Sequence, residues 1–201
     1  MIPFVFSFLT AFLAGAFPTA YLFVRGLKGA DIREHGSGNV GATNAARVLG
    51  KKIGILIFAI DFLKGLLPAL VLARFTAPVF NLSYPELVEF IGFASILGHI
   101  FTPFLGGKGG KGIATGAGAI CAGYPPIFAL MAMVWFLALF LSRKTISVSS
   151  LTAAGSFILF SVMLKCPSTI VSYSILLFLL ALWTHRSNIY RLFQGNEINP
   201  N

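Results

Sequence analysis

Residues 2–24 read IPFVFSFLTAFLAGAFPTAYLFV, a run of 23 uncharged and mostly apolar residues. An α-helix rises about 1.5 Å per residue, so about 20 such residues cross a hydrocarbon core of about 30 Å. The run is too long for the core of a signal peptide, and no basic segment precedes it. It therefore predicts a transmembrane helix that is retained in the protein.

Apolar runs of similar length recur along the chain, at Ile53–Ala73, Leu87–Leu105, Thr145–Leu164 and Cys166–Thr184. The run 112–141 is long for one span and short for two. Its adjacent prolines, Pro125 and Pro126, remove two backbone donors and clash with the preceding turn, so we expect two short helices there. The pattern predicts an all-α integral membrane protein with about seven transmembrane helices, forming a single polytopic membrane domain over residues 1–201.

The composition excludes a soluble globular domain and a disordered chain. Hydrophobic residues make up 57% of the sequence and charged residues 10%. Soluble domains carry about 25% charged residues because their surface must face water. Disordered segments are poor in apolar residues, which this chain is not. The partner that the composition implies is therefore the lipid bilayer.

The net charge is +9, from 15 Lys and Arg against 6 Asp and Glu, and the basic residues lie mostly between the apolar runs. We interpret this as a topology signal and expect no nucleic-acid partner. Seven spans place 12 basic residues, including Arg143 and Lys144, on one side and 2 on the other, whereas six spans give 9 and 5. The positive-inside rule favours seven spans, with the N-terminus outside and the C-terminus in the cytoplasm.

Three polar segments interrupt the apolar chain, at 35–52, 106–116 and 184–197, and the seven-span topology places all three on the cytoplasmic face. The cytoplasmic-face motifs that contain them cover 35–52, 98–116 and 184–197. In the first, residues 36–47 read GSGNVGATNAAR, with hydrogen-bonding side chains at Ser37, Asn39, Thr43 and Asn44. A short helix from Asn39 onward would put Thr43 and Arg47 on one face, where the arginine could hold a phosphate bidentately. The alternative is an ordinary cytoplasmic loop with a topogenic arginine.

The second segment contains GGKGGKG at 106–112. Glycines let backbone N–H groups converge on an anion, two lysines add charge, and a helix N-terminus follows. No strand precedes the segment, which argues against a Rossmann fingerprint, and the spacing is not that of a Walker A loop. We predict a phosphate-binding loop made of Gly107, Lys108, Gly109, Gly110, Lys111 and Gly112. The alternative is a flexible turn with topogenic lysines.

The third segment begins THRSNIYR at 184–191. On a continuing helix His185 and Asn188 share a face. His185 can exchange a proton near neutral pH, which makes it a candidate base or phosphate ligand, while a structural role is the alternative. Ser147, which follows Arg143 and Lys144, could reach the same cytoplasmic site.

Few titratable groups lie inside the predicted spans. Asp61 and Lys64, three residues apart, should neutralise each other, since an unpaired charge there is costly, although a proton or ion pathway is an alternative. We expect His99 to be a hydrogen-bonded packing residue. Three scattered histidines and two cysteines in or beside apolar stretches do not form a metal site, so no metal or other cofactor is expected.

Taken together, the segments Gly36–Arg47, Gly98–Thr115 and His185–Glu197 resemble, in this order, the three motifs of the bacterial PlsY family of acyl-phosphate:glycerol-3-phosphate acyltransferases. The resemblance covers nearly the whole chain, including the seven spans. It implies acyl transfer from acyl phosphate to the 1-hydroxyl of glycerol 3-phosphate, giving lysophosphatidic acid and phosphate in the first acylation of phospholipid biosynthesis. It also implies a place in the bacterial inner membrane, a site facing the cytoplasm, and a phosphate acyltransferase that supplies the acyl phosphate.

The resemblance also implies roles for single residues. Ser37 and Arg47 would bind substrate, the 107–112 loop would hold a phosphate, and Ser147 would line the site. His185 and Asn188 would position glycerol 3-phosphate, so that the catalytic centre comprises His185, Asn188 and Ser37. We expect direct attack by the glycerol hydroxyl, with His185 or a substrate phosphate oxygen as proton acceptor. A small anion transporter and a lipid phosphotransferase are the rival classes.

Overall fold

The computed structural model of the protein describes residues 2–76, 83–142 and 145–196. Within these residues the chain is all helical and contains no strand, which confirms the predicted class. The helices are α1 (Ile2–Ala16), α2 (Thr19–Lys28), α3 (Ala42–Leu49), α4 (Lys51–Thr76), α5 (Tyr84–Ile100), α6 (Ile113–Gly123), α7 (Pro125–Leu141), α8 (Ile146–Met163), α9 (Ser168–Thr184) and α10 (Arg186–Phe193). Short 3₁₀ turns occur at Ile32–Glu34 and Pro103–Leu105.

Four helical segments of the described chain are long and apolar enough to cross a membrane: Ile2–Lys28, Lys51–Thr76, Tyr84–Leu105 and Ile146–Met163. The pair α9 and α10, bent by 61°, is a fifth if it is counted as one span. Helices α6 and α7 are apolar but shorter. The count of seven and the orientation therefore stay predictions. Arg143 and Lys144, which entered the charge count, lie outside the described residues.

Prolines set two of the helix boundaries. The helix predicted over Ile2–Val24 is broken at Phe17 and Pro18, because proline has no N–H for the helical ladder. Pro125 and Pro126 occupy the first turn of α7, where an N–H would have no helical partner in any case. The predicted division of 112–141 into two helices is confirmed.

The chain forms two compact units, Met1–Tyr124 and Pro125–Asn201. In the first unit, glycines let helices approach until a Cβ would overlap the facing carbonyl. At the α1–α5 crossing Gly98 lies on the carbonyl of Phe12, and at the α4–α6 crossing Gly65 lies on that of Thr115. Such small-residue crossings are typical of membrane helix packing. They fix the ends of α5 and α6, and with them the loop 101–112 that joins these helices.

The second unit is built from α7, α8, α9 and α10. Helices α8 and α9 pack through Phe157 and Tyr173, whose rings meet edge to face at 6.3 Å between centroids. The hydroxyls of Ser161 and Ser174 lie 3.3 Å apart between the same helices. These contacts set the position of the C-terminal end of α9, where the third polar segment begins.

Candidate functional site

Asn44 organises the first polar segment. Its side chain is only 1% exposed, and its Nδ2 donates to the carbonyls of His35 at 2.9 Å and Asn39 at 3.1 Å. Its Oδ1 accepts the N–H of Ser37 at 2.9 Å. The amide of Asn44, a candidate hydrogen-bonding group for substrate, thus holds the backbone of its own segment, and its contact with substrate stays a prediction.

Helix α3 places the remaining groups of this segment. It begins after Gly41, three residues later than the predicted start at Asn39. Thr43 and Arg47 lie one turn apart on α3, as expected, and both are half-buried. The Cδ of Arg47 passes over Gly36, which has a φ of +58° that favours glycine. This brings the guanidinium-bearing side chain to the turn that carries Ser37.

The backbone of the 107–112 loop differs from the predicted anion cradle. The N–H of Gly107 donates to the Thr102 carbonyl at 2.9 Å. The N–H groups of Lys108, Gly109 and Gly110 also donate to backbone carbonyls of the protein. Because these donors are engaged, an anion here would depend on the exposed Lys108, the half-buried Lys111 and the start of α6 after Gly112, whose φ is +79°.

Gly109 and Gly110 serve close packing. Their N–H groups donate to the carbonyls of Ile100 at 3.0 Å and His99 at 3.1 Å. A Cβ on Gly110 would collide with Nε2 of His99 and with the carbonyl oxygen of Val40. His99 is buried, as predicted for a packing residue, but its Nδ1 has no hydrogen-bond partner in the part of the chain described. Gly110 is thus the point where the first two polar segments meet.

A cavity of about 420 Å³ lies at this meeting point in the first unit. Three of the predicted residues line it, Asn39, Lys108 and Gly109, together with Gly38 and Val40. Sequence reasoning missed the others, Asp31, Arg33 and Glu34. The signal that could have found them is a carboxylate two residues before an arginine, directly ahead of the glycine-rich segment.

Asp31 and Arg33 form a bidentate ion pair at the cavity wall. Nη2 of Arg33 lies 2.6 Å from Oδ2 of Asp31, and Nε lies 3.0 Å from Oδ1. The side chain and the backbone N–H of Arg33, both donating to the carboxylate, lower the pKa of Asp31 to about 2. The guanidinium also lies 5.7 Å from the ring centroid of Tyr21. Arg33 is therefore a cation of fixed geometry beside the cavity.

The third polar segment lies in the second unit. The helix does not continue through this segment: α9 ends at Thr184, and α10 begins at Arg186 after a bend of 61°. His185, Asn188 and Ser147 are nevertheless buried, at 2%, 8% and 5% exposure. Nδ1 of His185 lies 2.8 Å from the Ala181 carbonyl, which can only accept, so Nδ1 carries the proton. Glu197, the end of this segment, lies outside the described residues.

The described residues contain no group of three or more His, Cys, Asp or Glu side chains that could hold a metal ion. Cys121 and Cys166 are free and half-buried. The charged side chains that line the cavity of the first unit are Asp31, Arg33, Glu34 and Lys108.

Comparison with known proteins identifies the family. The sequence model of the glycerol-3-phosphate acyltransferase family matches residues 5–195. The glycerol-3-phosphate acyltransferase of Aquifex aeolicus is 40% identical over 193 residues, which cover 96% of this chain and 97% of the relative. That of Myxococcus xanthus is 38% identical over 189 residues, covering 94% and 95%.

Solved structures agree with this result. The crystal structure of PlsY, an integral membrane glycerol 3-phosphate acyltransferase, in its glycerol 3-phosphate form is 39% identical and superposes with a TM-score of 0.86. The match covers 98% of this chain and 94% of that one. The lysophosphatidic acid form gives a TM-score of 0.83 at the same identity and coverage. The resemblance of the three polar segments is thus confirmed, and the chain belongs to the glycerol-3-phosphate acyltransferase (PlsY) family.

Proposed function

We propose that this protein transfers a fatty acyl group from acyl phosphate to the 1-hydroxyl of glycerol 3-phosphate, giving lysophosphatidic acid and inorganic phosphate. The observation that carries the proposal is the meeting of segments 35–47 and 98–112 at one cavity with Lys108 in its wall. Both substrates are phosphate-bearing anions, and Lys108 places a cation in the wall of this cavity that can attract them. The related crystal structures are named for glycerol 3-phosphate and lysophosphatidic acid, a substrate and the product of this reaction.

In this proposal side chains rather than backbone amides hold phosphate. Arg47 supplies a planar fork for bidentate contacts, while Lys108 and Lys111 supply compact charges. The N-terminus of α6 adds the partial positive charge of a helix dipole. Hydrogen bonds come from Ser37, Asn39 and Thr43 in the first unit. In the second unit, the proposed substrate-binding groups are Ser147, His185 and Asn188.

The proposed chemistry is direct acyl transfer without an acyl-enzyme. The glycerol oxygen attacks the acyl carbonyl carbon and forms the ester bond. The bond from that carbon to the phosphate oxygen breaks, and inorganic phosphate leaves with the electron pair. Because acyl phosphate is a mixed anhydride with a good leaving group, positioning and charge stabilisation provide most of the catalysis.

Two groups could accept the proton of the attacking hydroxyl. His185 keeps its proton on Nδ1, so Nε2 of the neutral ring is an acceptor. An oxygen of a substrate phosphate is the other. Replacement of His185 by Gln distinguishes them: loss of general-base catalysis lowers kcat by about 100-fold or more. A kcat close to that of the wild type would assign the proton to the substrate phosphate.

We further propose seven spans in one polytopic domain, with α6 and α7 among them, the N-terminus outside and the site facing the cytoplasm across a bacterial inner membrane. Large apolar side chains on the helix surfaces, such as Leu67, Val71 and Phe140, point away from the protein, as lipid contact requires. The acyl chain would enter from the bilayer. A phosphate acyltransferase would supply the acyl phosphate.

The decisive experiment measures phosphate release by the purified protein in lipid vesicles, given acyl phosphate with and without glycerol 3-phosphate. Release should depend on glycerol 3-phosphate and yield lysophosphatidic acid. Arg47→Ala should abolish it, whereas Arg74→Ala, an exposed arginine near the opposite end of α4, should not. Absence of turnover by folded wild-type protein, or equal turnover with acyl-CoA alone, would contradict the proposal.

A further inference from the structure

We propose that Asp61 and Lys64, a buried pair to which the proposed reaction assigns no role, are positioning residues that act through His99 on the lysine loop, defined as residues 106–112. The inference rests on the proposed acyltransferase function for its kinetic consequence. Its structural consequence is independent of that function, so the two can fail separately.

Lys64 ties α4 to the break between α1 and α2. Its Nζ lies 2.8 Å from Oδ1 of Asp61 and donates to the carbonyl of Phe17 at 2.8 Å. Asp61 and Lys64 are 2% and 9% exposed. The Phe17 carbonyl lies at the helix break that Pro18 produces. It also accepts the N–H of Thr19 at 3.0 Å. The ammonium thus neutralises the carboxylate and holds the broken backbone in place.

The pair shares a small cavity with the lysine loop. This cavity, of about 10 Å³, is lined by Asp61, Lys64, Phe17, His99, Gly109 and Gly110, among others. A space of this size holds about one water molecule at most. The charged pair and the underside of the loop are therefore close neighbours, separated by no large gap that would absorb a shift.

His99 transmits the position of this cavity wall to the loop. Its carbonyl accepts the N–H of Gly110 at 3.1 Å, and its ring lies against the α-carbon of the same glycine. Lys108, two residues away, lines the large cavity of the proposed active site. A shift of α4 or of the α1–α2 break would therefore be passed through His99 and Gly110 to the ammonium of Lys108.

A buried ion pair that serves only as neutral filler can be replaced by apolar residues of similar volume at little cost in stability. The double variant Asp61→Leu with Lys64→Met removes both charges at similar side-chain volume, so it tests whether the pair also positions the lysine loop. The chain offers a matched control, since the hydroxyls of Thr76 and Ser7 form a buried polar link between α4 and α1, 2.9 Å long, at the C-terminal end of α4. The control is Ser7→Ala with Thr76→Val.

Two readouts are measured on the full-length protein in lipid. The first readout is KM and kcat for glycerol 3-phosphate, each protein being assayed equally far below its own melting temperature. In the double variant we expect KM to rise at least about tenfold, with a smaller change in kcat. The second is cleavage by trypsin after Lys108 and Lys111, which we expect to be at least about fivefold faster than in the wild type. The control should change neither quantity.

A double variant with wild-type KM and wild-type cleavage would overturn the inference, as would equal effects in the control. If the double variant does not fold, Lys64→Arg and Asp61→Glu keep both charges but alter the reach by about one methylene. Faster loop cleavage in these supports the inference, and unchanged cleavage overturns it. Cleavage does not depend on turnover, so an inactive wild type would refute the proposed function alone.

Discussion

The imidazole of His99 lies against the α-carbon of Gly110, and the carbonyl of the same histidine accepts the glycine N–H at 3.1 Å. This contact seats the lysine loop on the end of α5. The carbonyl oxygen of Val40 lies close to the same position, so the first two polar segments meet where there is no space for a side chain. The glycine is required there by sterics, and its φ lies outside the left-handed range.

Gly110→Ala should displace the loop, because the new methyl group would overlap both the His99 ring and the Val40 carbonyl. We expect a loss of activity of about 100-fold or more, since small misplacements of a binding group cost this much. Turnover of glycerol 3-phosphate in lipid vesicles is the measurement. Gly26→Ala, on the exposed face of α2 where a Cβ meets nothing within 4 Å, is the control and should be neutral. Wild-type activity in Gly110→Ala would show that the contact is not required.

Asn44→Ala should destabilise the first polar segment by about 2 kcal/mol, because it leaves the N–H of Ser37 and the carbonyls of Ile32, His35 and Asn39 without this partner. Asn44→Asp should destabilise the protein more than Asn44→Ala does, since a carboxylate would face the carbonyl oxygens of His35 and Asn39. The stabilities of the variants are compared by unfolding each protein in detergent with heat or denaturant. Asn39→Ala, which removes a half-buried side chain at the cavity wall, should leave stability nearly unchanged. Equal stability of the two alanine variants would contradict the organising role of Asn44.

Lys108→Ala should raise KM for glycerol 3-phosphate by about tenfold, which corresponds to about 1.4 kcal/mol for one lost charge-assisted contact. The side chain is exposed, so the melting temperature should not change. Lys108→Arg should recover part of the affinity, because the charge is kept. Lys28 is exposed in the last turn of α2, and Lys28→Ala is the control for a long-range effect of losing one positive charge. An equal rise of KM in both alanine variants would assign the rise to that long-range effect.

The Asp31–Arg33 pair predicts a defined response to acid. Its carboxyl has a pKa of about 2 in the folded protein, against the ordinary value of 3.8 for an aspartate, so folding favours the ionised form. The stabilisation is present above pH 4 and is lost as the pH falls toward 2. The melting-temperature difference between wild type and Asp31→Asn should be constant from pH 5 to pH 8 and shrink below pH 4. It should be small, since exposed pairs contribute below about 1 kcal/mol.

Glu34→Gln removes a neighbouring carboxylate of the same cavity and provides the comparison for this pH series. A difference between wild type and Asp31→Asn that changes between pH 5 and pH 8 would mean that the carboxyl titrates there. The ion pair described above would then not exist in solution.

Much of the architecture followed from local sequence. Hydrophobic run lengths predicted the helical segments, and Pro125 with Pro126 predicted the division of 112–141, because span length and proline chemistry depend on few neighbouring residues. The ion pair of Asp61 and Lys64 followed from their spacing of three residues and the cost of an isolated charge. The three polar segments identified the family for the same reason, since each is continuous in sequence.

The assignment of roles within those segments depended on tertiary structure. The sequence offered the N–H groups of Gly109 and Gly110 to an anion, but the carbonyls of α5 take them. It also made the amide of Asn44 a candidate group for substrate, but that amide has hydrogen bonds to four backbone groups of its own region. A hydrogen-bonding group binds whichever partner the fold brings near, and those partners come from other parts of the chain. The sequence therefore predicted which segments carry candidate binding groups, and only the packing of helices and loops decided which of those groups already have partners within the protein.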